Sequence, residues 1–66
     1  MKITLNGESH EVADELRLDA LLESSGYANK RVAVEINRQI VPRSRYSEHQ
    51  LKPDDRIEIV HAIGGG

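Results

Sequence analysis

Three segments of the chain have the hydrophobic pattern of a β-strand. Residues 2–5 alternate and place Ile3 and Leu5 on one face, residues 32–36 alternate in the same way, and residues 56–63 form a longer apolar run in which Ile57 and Ile59 share one face. A period of two is typical of a β-strand that buries one of its faces. We therefore predict three half-buried strands, of which the last is the longest and the most apolar.

Two turn signals add a return strand to the first and to the second of these. The pair Asn6-Gly7 strongly favours a hairpin, because both central residues of a type I′ turn need a positive φ. The return strand over 8–12 is weakly apolar, so we place it at a sheet edge. Residues 37–39 (Asn-Arg-Gln) predict a second tight turn. The short return over 40–41 ends at Pro42, which has no N–H to donate.

Between the two hairpins, the leucines change to a helical period. Leu18, Leu21 and Leu22 have the i, i+3, i+4 spacing of one buried stripe. The run Ser-Ser-Gly at 24–26 predicts the end of the helix, with Gly26 as a left-handed C-cap. Arg17, at the predicted start, has no side-chain acceptor, so the sequence offers no N-cap there.

The remaining segment before the last strand is polar and irregular. Over 43–51 we expect Tyr46 and Leu51 to be the residues that anchor it inward. Residues 52–55 predict a turn with Pro53 at its second position and Asp54 at its third.

The order of these elements predicts the fold. One sheet packed on one helix is the simplest arrangement that buries both the leucine stripe and a sheet face. The apolar first and last strands suit central positions as parallel neighbours. We therefore expect an α+β protein, a β-grasp with a mixed sheet of four to five strands on one main helix. It would occupy 1–63 and leave 64–66 as a flexible glycine tail.

Length and composition exclude several classes of function. At 66 residues the chain forms one domain at most and is too small to enclose a deep ligand pocket, so a self-contained enzyme is not expected. The absence of cysteine removes disulfides and thiolate metal sites. Neither a signal-peptide pattern nor an apolar run of membrane-spanning length is present, and we expect a cytoplasmic protein with no membrane partner.

Charge and the remaining polar residues argue against nucleic-acid binding, a metal site and a catalytic pair of carboxylates. The 11 acidic and 9 basic residues give a net charge of −2, without the basic face and stacking aromatics of a nucleic-acid-binding protein. His10, His49 and His61 lack the spacing of metal ligands, so no metal site is expected. The pair Asp54-Asp55 suits a turn better than a catalytic pair of carboxylates.

The chain ends in three glycines, Gly64-Gly65-Gly66, directly after the last predicted strand. Without Cβ atoms, such a tail can enter a channel too narrow for side chains. Three extended residues span roughly 10 Å, which is enough to carry a carboxylate into another protein's active site. The same pattern is found in frayed chain ends. The glycines alone leave both interpretations open.

Two segments together resemble a known family over the whole chain. They are residues 36–43 (Ile-Asn-Arg-Gln-Ile-Val-Pro-Arg) and the ending 62–66 (Ala-Ile-Gly-Gly-Gly). In this frame they resemble the ThiS family, the ubiquitin-like sulfur carrier proteins of thiamine biosynthesis. The related small subunit of molybdopterin synthase is usually longer and lacks the Val-Pro-Arg segment. Arg17 departs from the family, which often has a helix-capping Ser or Thr at that position.

The resemblance implies that the α-carboxylate of Gly66 carries the chemistry, with Gly64 and Gly65 providing clearance. A ubiquitin-activating-type (ThiF-like) adenylyltransferase would use ATP and Mg²⁺ to adenylate it. Sulfur drawn from cysteine by a cysteine desulfurase or sulfurtransferase would then give a thiocarboxylate. Thiazole synthase (ThiG-like) would accept this sulfur for the thiazole ring. The chain would bind no cofactor itself and would be a co-substrate rather than an enzyme.

Three alternatives belong beside this interpretation. The chain could carry sulfur for molybdopterin synthesis, or be a ubiquitin-like modifier joined to lysines through Gly66. It could also be an interaction module that is never activated, with an incidental glycine tail.

The predicted strands also suggest a docking surface for the enzymes that handle the tail. Val60 and Ala62 should point away from the core, beside Ala33 and Glu35, in an apolar patch that Arg38 and Arg43 border. Scattered surface apolar residues are the simpler explanation, and Arg43 could instead pair with a nearby carboxylate. We expect a monomer when the chain is free. The predicted docking residues are Ala33, Glu35, Arg43, Val60, Ala62 and Ile63.

Overall fold

The computed structural model describes residues 1–61, which form a five-stranded sheet and one α-helix. The elements are β1 (Lys2–Leu5), β2 (Glu8–Glu11), α1 (Leu18–Ser24), β3 (Val32–Ile36), β4 (Gln39–Val41), a 3₁₀ turn (Arg43–Arg45) and β5 (Arg56–His61). The strands lie in the order β2-β1-β5-β3-β4; β1 and β5 are parallel, and the other neighbours are antiparallel. The predicted mixed sheet with the first and last strands as parallel neighbours is confirmed.

Both predicted hairpin turns have the backbone that their sequences favour. Asn6 and Gly7 have φ values of 49° and 85°, as a type I′ turn requires. In the second hairpin, Asn37 and Arg38 have φ values of 52° and 70°. Gln39, predicted within that turn, instead pairs with Ile36 as the first residue of β4, because a two-residue turn closes the hairpin.

The start of α1 is capped by distant backbone rather than by a local side chain. Arg17 stands at the N-cap position and makes no side-chain capping bond. The N–H of Leu18 donates to the carbonyl of His49 at 2.9 Å, and that of Asp19 donates to the carbonyl of Tyr46 at 3.1 Å. The irregular segment before β5 therefore satisfies two helix donors that would otherwise lack partners.

The end of α1 follows the prediction. Gly26 has a φ of 85°, and its N–H donates to the carbonyl of Glu23 at 3.3 Å. The N–H of Tyr27 donates to the carbonyl of Leu22 at 2.8 Å. These two bonds form a Schellman motif, and Tyr27 packs on the core beside it.

The core lies between α1 and one face of the sheet. The helix contributes the predicted leucine stripe, and the irregular segment contributes Leu51, which is 2% exposed. Tyr46, the other predicted anchor, is only partly buried and packs against the edge of the core. The buried apolar residues are Ile3, Leu5, Leu18, Leu21, Leu22, Val34, Ile36, Val41, Leu51, Ile57 and Ile59.

Asp55 is a buried carboxylate whose role is structural. One of its oxygens accepts the backbone N–H of Lys52 at 2.9 Å, and the other accepts the side-chain amide of Asn37 at 3.0 Å. Asn37 in turn accepts the N–H of Arg56 at 3.0 Å. This network joins the β3–β4 turn to the turn before β5, in which Asp54 has a φ of 68°. The prediction that the Asp54-Asp55 pair serves a turn is confirmed.

Candidate functional site

The face of the sheet opposite α1, here called the outer face, carries most of the described residues that were predicted to dock partners. Along β5 the inward Ile57 and Ile59 alternate with exposed Glu58 and Val60. Val60 is 63% exposed. The opposite orientation of Val60 and the two isoleucines follows from the period of two and agrees with the prediction.

The strand register brings three predicted docking residues together. Ala33 of β3 lies directly opposite Val60 of β5, and Glu35 lies opposite Glu58. Ala33 and Glu35 are both exposed. On the other side of β3, Glu35 lies opposite Ile40 of β4, which is 75% exposed.

Ile40 and Glu58 were not among the predicted docking residues. Ile40 is the more exposed of the two large apolar residues on the surface of the described part of the chain. The signal was present in its neighbour, because the inward position of Val41 puts Ile40 on the outer face by alternation. We therefore define the docking patch as Ala33, Glu35, Ile40, Glu58 and Val60.

Basic residues border the patch at the end nearest the β3–β4 turn. Arg38 and Arg56 line a shallow open depression together with Thr4, Glu35 and Glu58. Arg43 is exposed at the start of the 3₁₀ turn and does not line this depression. The ion pair considered for Arg43 is not found among residues 1–61.

The predicted reactive end lies outside the described residues. This applies to the docking residues Ala62 and Ile63 and to all three glycines, Gly64, Gly65 and Gly66. The last described residue of β5, His61, pairs with Val32 at the beginning of β3. Val60 and Ala33, in the next pair along, are thus the patch residues closest in sequence and register to the segment 62–66.

Other candidate chemistry is sparse in the described part of the chain. Residues 1–61 contain no group of three potential metal ligands. His10 lies 3.8 Å from Glu8, while His49 contributes its carbonyl to the helix start. None of the helices in residues 1–61 has the length and apolar character that crossing a membrane would require.

Comparison with known protein families identifies the chain. The model of the ThiS family matches residues 3–66. The sulfur carrier protein ThiS of Escherichia coli (strain K12) is 32% identical over 66 residues, with both chains covered completely. That of Bacillus subtilis (strain 168) is 50% identical over 46 residues, which are 70% of each chain.

A longer relative and a solved structure extend this picture. The thiazole synthase of Magnetococcus marinus is 48% identical over 66 residues, and the chain spans only 20% of its length. The crystal structure of the thiamine biosynthesis protein ThiS from Geobacter metallireducens has a TM-score of 0.85 at 30% identity, with both chains covered completely. The chain therefore belongs to the ThiS family and has its β-grasp fold.

Proposed function

We propose that the chain is a sulfur carrier of thiamine biosynthesis and that the α-carboxylate of Gly66 is the group that carries the sulfur. The observation that carries this proposal is the family match, which runs from residue 3 through to Gly66. Full-length similarity to a protein named as a sulfur carrier supports it. In this proposal residues 1–63 are the folded body, and residues 64–66 are the functional tail.

The chemistry requires activation by a partner, because a carboxylate is a poor electrophile. A carboxylate oxygen of Gly66 attacks the α-phosphorus of ATP and releases pyrophosphate, which leaves an acyl-adenylate. A persulfide sulfur then attacks the acyl carbon and AMP departs; cleavage of the sulfur–sulfur bond by a thiol leaves the thiocarboxylate. ATP, Mg²⁺ and the persulfide belong to the partner enzymes, so the chain acts as a co-substrate.

The glycines give the reacting carbonyl access to those enzymes. Gly64 and Gly65 have no Cβ, so the tail can pass through a channel that would exclude larger residues. The three-residue span of roughly 10 Å separates the reacting group from the folded body.

The same tail must visit more than one enzyme, which calls for a recognition surface on the body. We assign this role to the docking patch, continued by Ala62 and Ile63, with Arg43 as a more distant contact. The partners are an adenylating enzyme, a cysteine desulfurase or sulfurtransferase, and thiazole synthase, all in the cytoplasm. Similarity of the whole chain to a fifth of two thiazole synthases supports the last of these.

Intact-mass spectrometry of the 66-residue chain tests the proposal. The chain is incubated with ATP, Mg²⁺, the adenylating enzyme of the same organism, a cysteine desulfurase and cysteine. The expected product is heavier by the difference between one sulfur and one oxygen, and it does not form when ATP is omitted. A chain lacking Gly66 and the variant Gly65→Leu should keep the circular-dichroism spectrum of the wild type and remain unmodified.

Other outcomes of the same experiment would contradict the proposal. Adducts on lysine side chains would indicate a protein modifier. An unchanged mass for the wild-type chain, with an adenylating enzyme shown to be active on another carrier, would remove both functions.

A further inference from the structure

The centre of the docking patch holds two like charges in direct opposition. Glu35 of β3 and Glu58 of β5 are cross-strand partners on the outer face. Directly opposed residues on one face have Cβ atoms about 4.5–5.5 Å apart, and like charges in such a pair destabilise the sheet. Arg38 and Arg56 line the same depression as Glu35 and Glu58, but no hydrogen bond or ion pair joins either carboxylate to another side chain within residues 1–61.

Apolar side chains surround this acidic pair on two sides. Ile40 lies opposite Glu35 on the neighbouring strand, and the Ala33–Val60 pair is the next pair of the two strands on the same face. A partner that covers these apolar residues would also remove water from the two carboxylates. Burying an unpaired charge is costly, so a stable complex needs a cation to meet them.

We propose that the docking patch fits a surface of thiazole synthase that presents one lysine or arginine side chain to Glu35 and Glu58 and apolar side chains to Ile40 and Val60. This inference rests on the proposed function, which supplies the partner. Thiazole synthase is the partner chosen because chains of that name include a segment similar to this whole chain. The cation is the element that makes recognition selective, since contact with apolar residues alone discriminates weakly.

The proposal predicts opposite effects on folding and on binding. In the free chain, Glu58→Gln removes a repulsion and should raise the denaturant concentration at the midpoint of unfolding. In the complex, the same change removes the partner of a buried cation and should weaken binding at least about tenfold. If Glu58 had only a structural role, Glu58→Gln would lower the stability of the free chain. It would not stabilise the free chain while weakening the complex.

Isothermal titration calorimetry with the separately purified thiazole synthase of the same organism tests the binding effect. The variants are Glu35→Gln, Glu58→Gln and Val60→Ser, each expected to weaken binding. Glu23→Gln and Glu48→Gln, two exposed carboxylates away from the patch, are matched controls that should leave the dissociation constant unchanged. Urea unfolding of the free chains measures the effect on stability.

Each result decides the proposal. Weaker binding together with a higher unfolding midpoint for Glu58→Gln supports it. Affinities for thiazole synthase within twofold of wild type for both glutamine variants would overturn it. A loss of affinity for the adenylating enzyme alone would also overturn it. A wild-type chain that gains sulfur in the mass experiment but binds thiazole synthase without dependence on these residues overturns this inference alone. A chain that never gains sulfur overturns the proposed function, whatever its binding.

Discussion

The two faces of the sheet are built by the same strands and obey different constraints. On β5, Ile57 and Ile59 are 1% and 7% exposed, while Val60, the next residue along the strand, is 63% exposed. On the inner face, the buried residues are apolar and meet the leucine stripe of α1, while Glu8 and His10 of β2 and Gln39 of β4 are exposed at its edges. The outer face mixes apolar side chains with an opposed pair of carboxylates. Folding thus depends on the composition of the buried face and constrains that of the outer face less.

The sharpest test of this difference replaces adjacent residues of β5. Ile59→Ala should lower the free energy of unfolding by about 2–5 kcal/mol, because it removes buried atoms and leaves a cavity. The whole free energy of unfolding of such a domain is only about 5–15 kcal/mol. Urea unfolding followed by circular dichroism measures the change. Val60→Ala, on the outer face, should stay within about 0.5 kcal/mol of wild type; equal losses for the two would contradict the distinction.

The buried polar residue Asp55 should also contribute to the stability of the fold. Asp55→Ala should cost about 1–3 kcal/mol, because it leaves the N–H of Lys52 and the amide of Asn37 without their acceptor. The same unfolding experiment measures it, with exposed Glu48→Ala as the control. A neutral Asp55→Ala would show that the network between the two turns contributes nothing to stability.

Replacing Arg38, in the turn at the end of the outer face, with glycine should stabilise the chain. Arg38 has a φ of 70°, a region that costs a residue with a Cβ about 1–2 kcal/mol. Glycine also loses more entropy on folding, so Arg38→Gly should stabilise by no more than about 1 kcal/mol. Arg43→Gly, outside the positive-φ positions, is the matched control and should not stabilise. If both variants lose stability equally, backbone strain at Arg38 is not a significant term.

The smallest expected effect concerns charges at the surface of the β1–β2 pair. The α-amino group of Met1 donates to the carbonyl of Val12 and lies 3.0 Å from Asp14 and 3.7 Å from Glu11. The hydrogen bond to Asp14 is the main cause that raises the pKa of this amino group above its ordinary value of 8.0. The protonated form is therefore favoured in the folded chain. Its contribution is complete below pH 8.0 and disappears as the pH rises through the higher folded-state pKa.

Comparing the free chain with an Nα-acetylated chain isolates this contribution. Stability of the free chain should decline slightly more steeply above pH 8.0 than that of the acetylated chain, and Asp14→Asn should reduce the difference. Identical pH profiles would mean that these exposed contacts add nothing, as many surface ion pairs do.

Much of the fold could be predicted because local patterns and tertiary burial agree. Alternation at 32–36, together with Ile57 and Ile59 in the last strand, predicted which side chains face the core, and the leucine spacing predicted the helix. Asn6-Gly7 and Gly26 identified their turns because few other residues tolerate those φ values. Together with the segments 36–43 and 62–66, this frame was sufficient to identify the family.

What could not be predicted depends on contacts between distant parts of the chain. The carbonyls of Tyr46 and His49 cap a helix that begins at Leu18, and no local pattern records that contact. The opposition of Glu35 and Glu58 depends on the register of β3 against β5, which tertiary packing sets. Ile40 was missed although alternation with Val41 assigns it to the outer face, because in a three-residue strand that signal rests on a single neighbour.

The central claim, that Gly66 carries the sulfur, is tested most directly by locating the added mass. After the ATP-dependent reaction, the chain is cleaved with a protease and its C-terminal peptide is sequenced by tandem mass spectrometry. We expect the sulfur-for-oxygen mass increase only in fragments that contain Gly66, and its loss after incubation with thiazole synthase and its other substrates. The same increase on fragments that end before Gly66, or on a chain lacking that residue, would contradict the account.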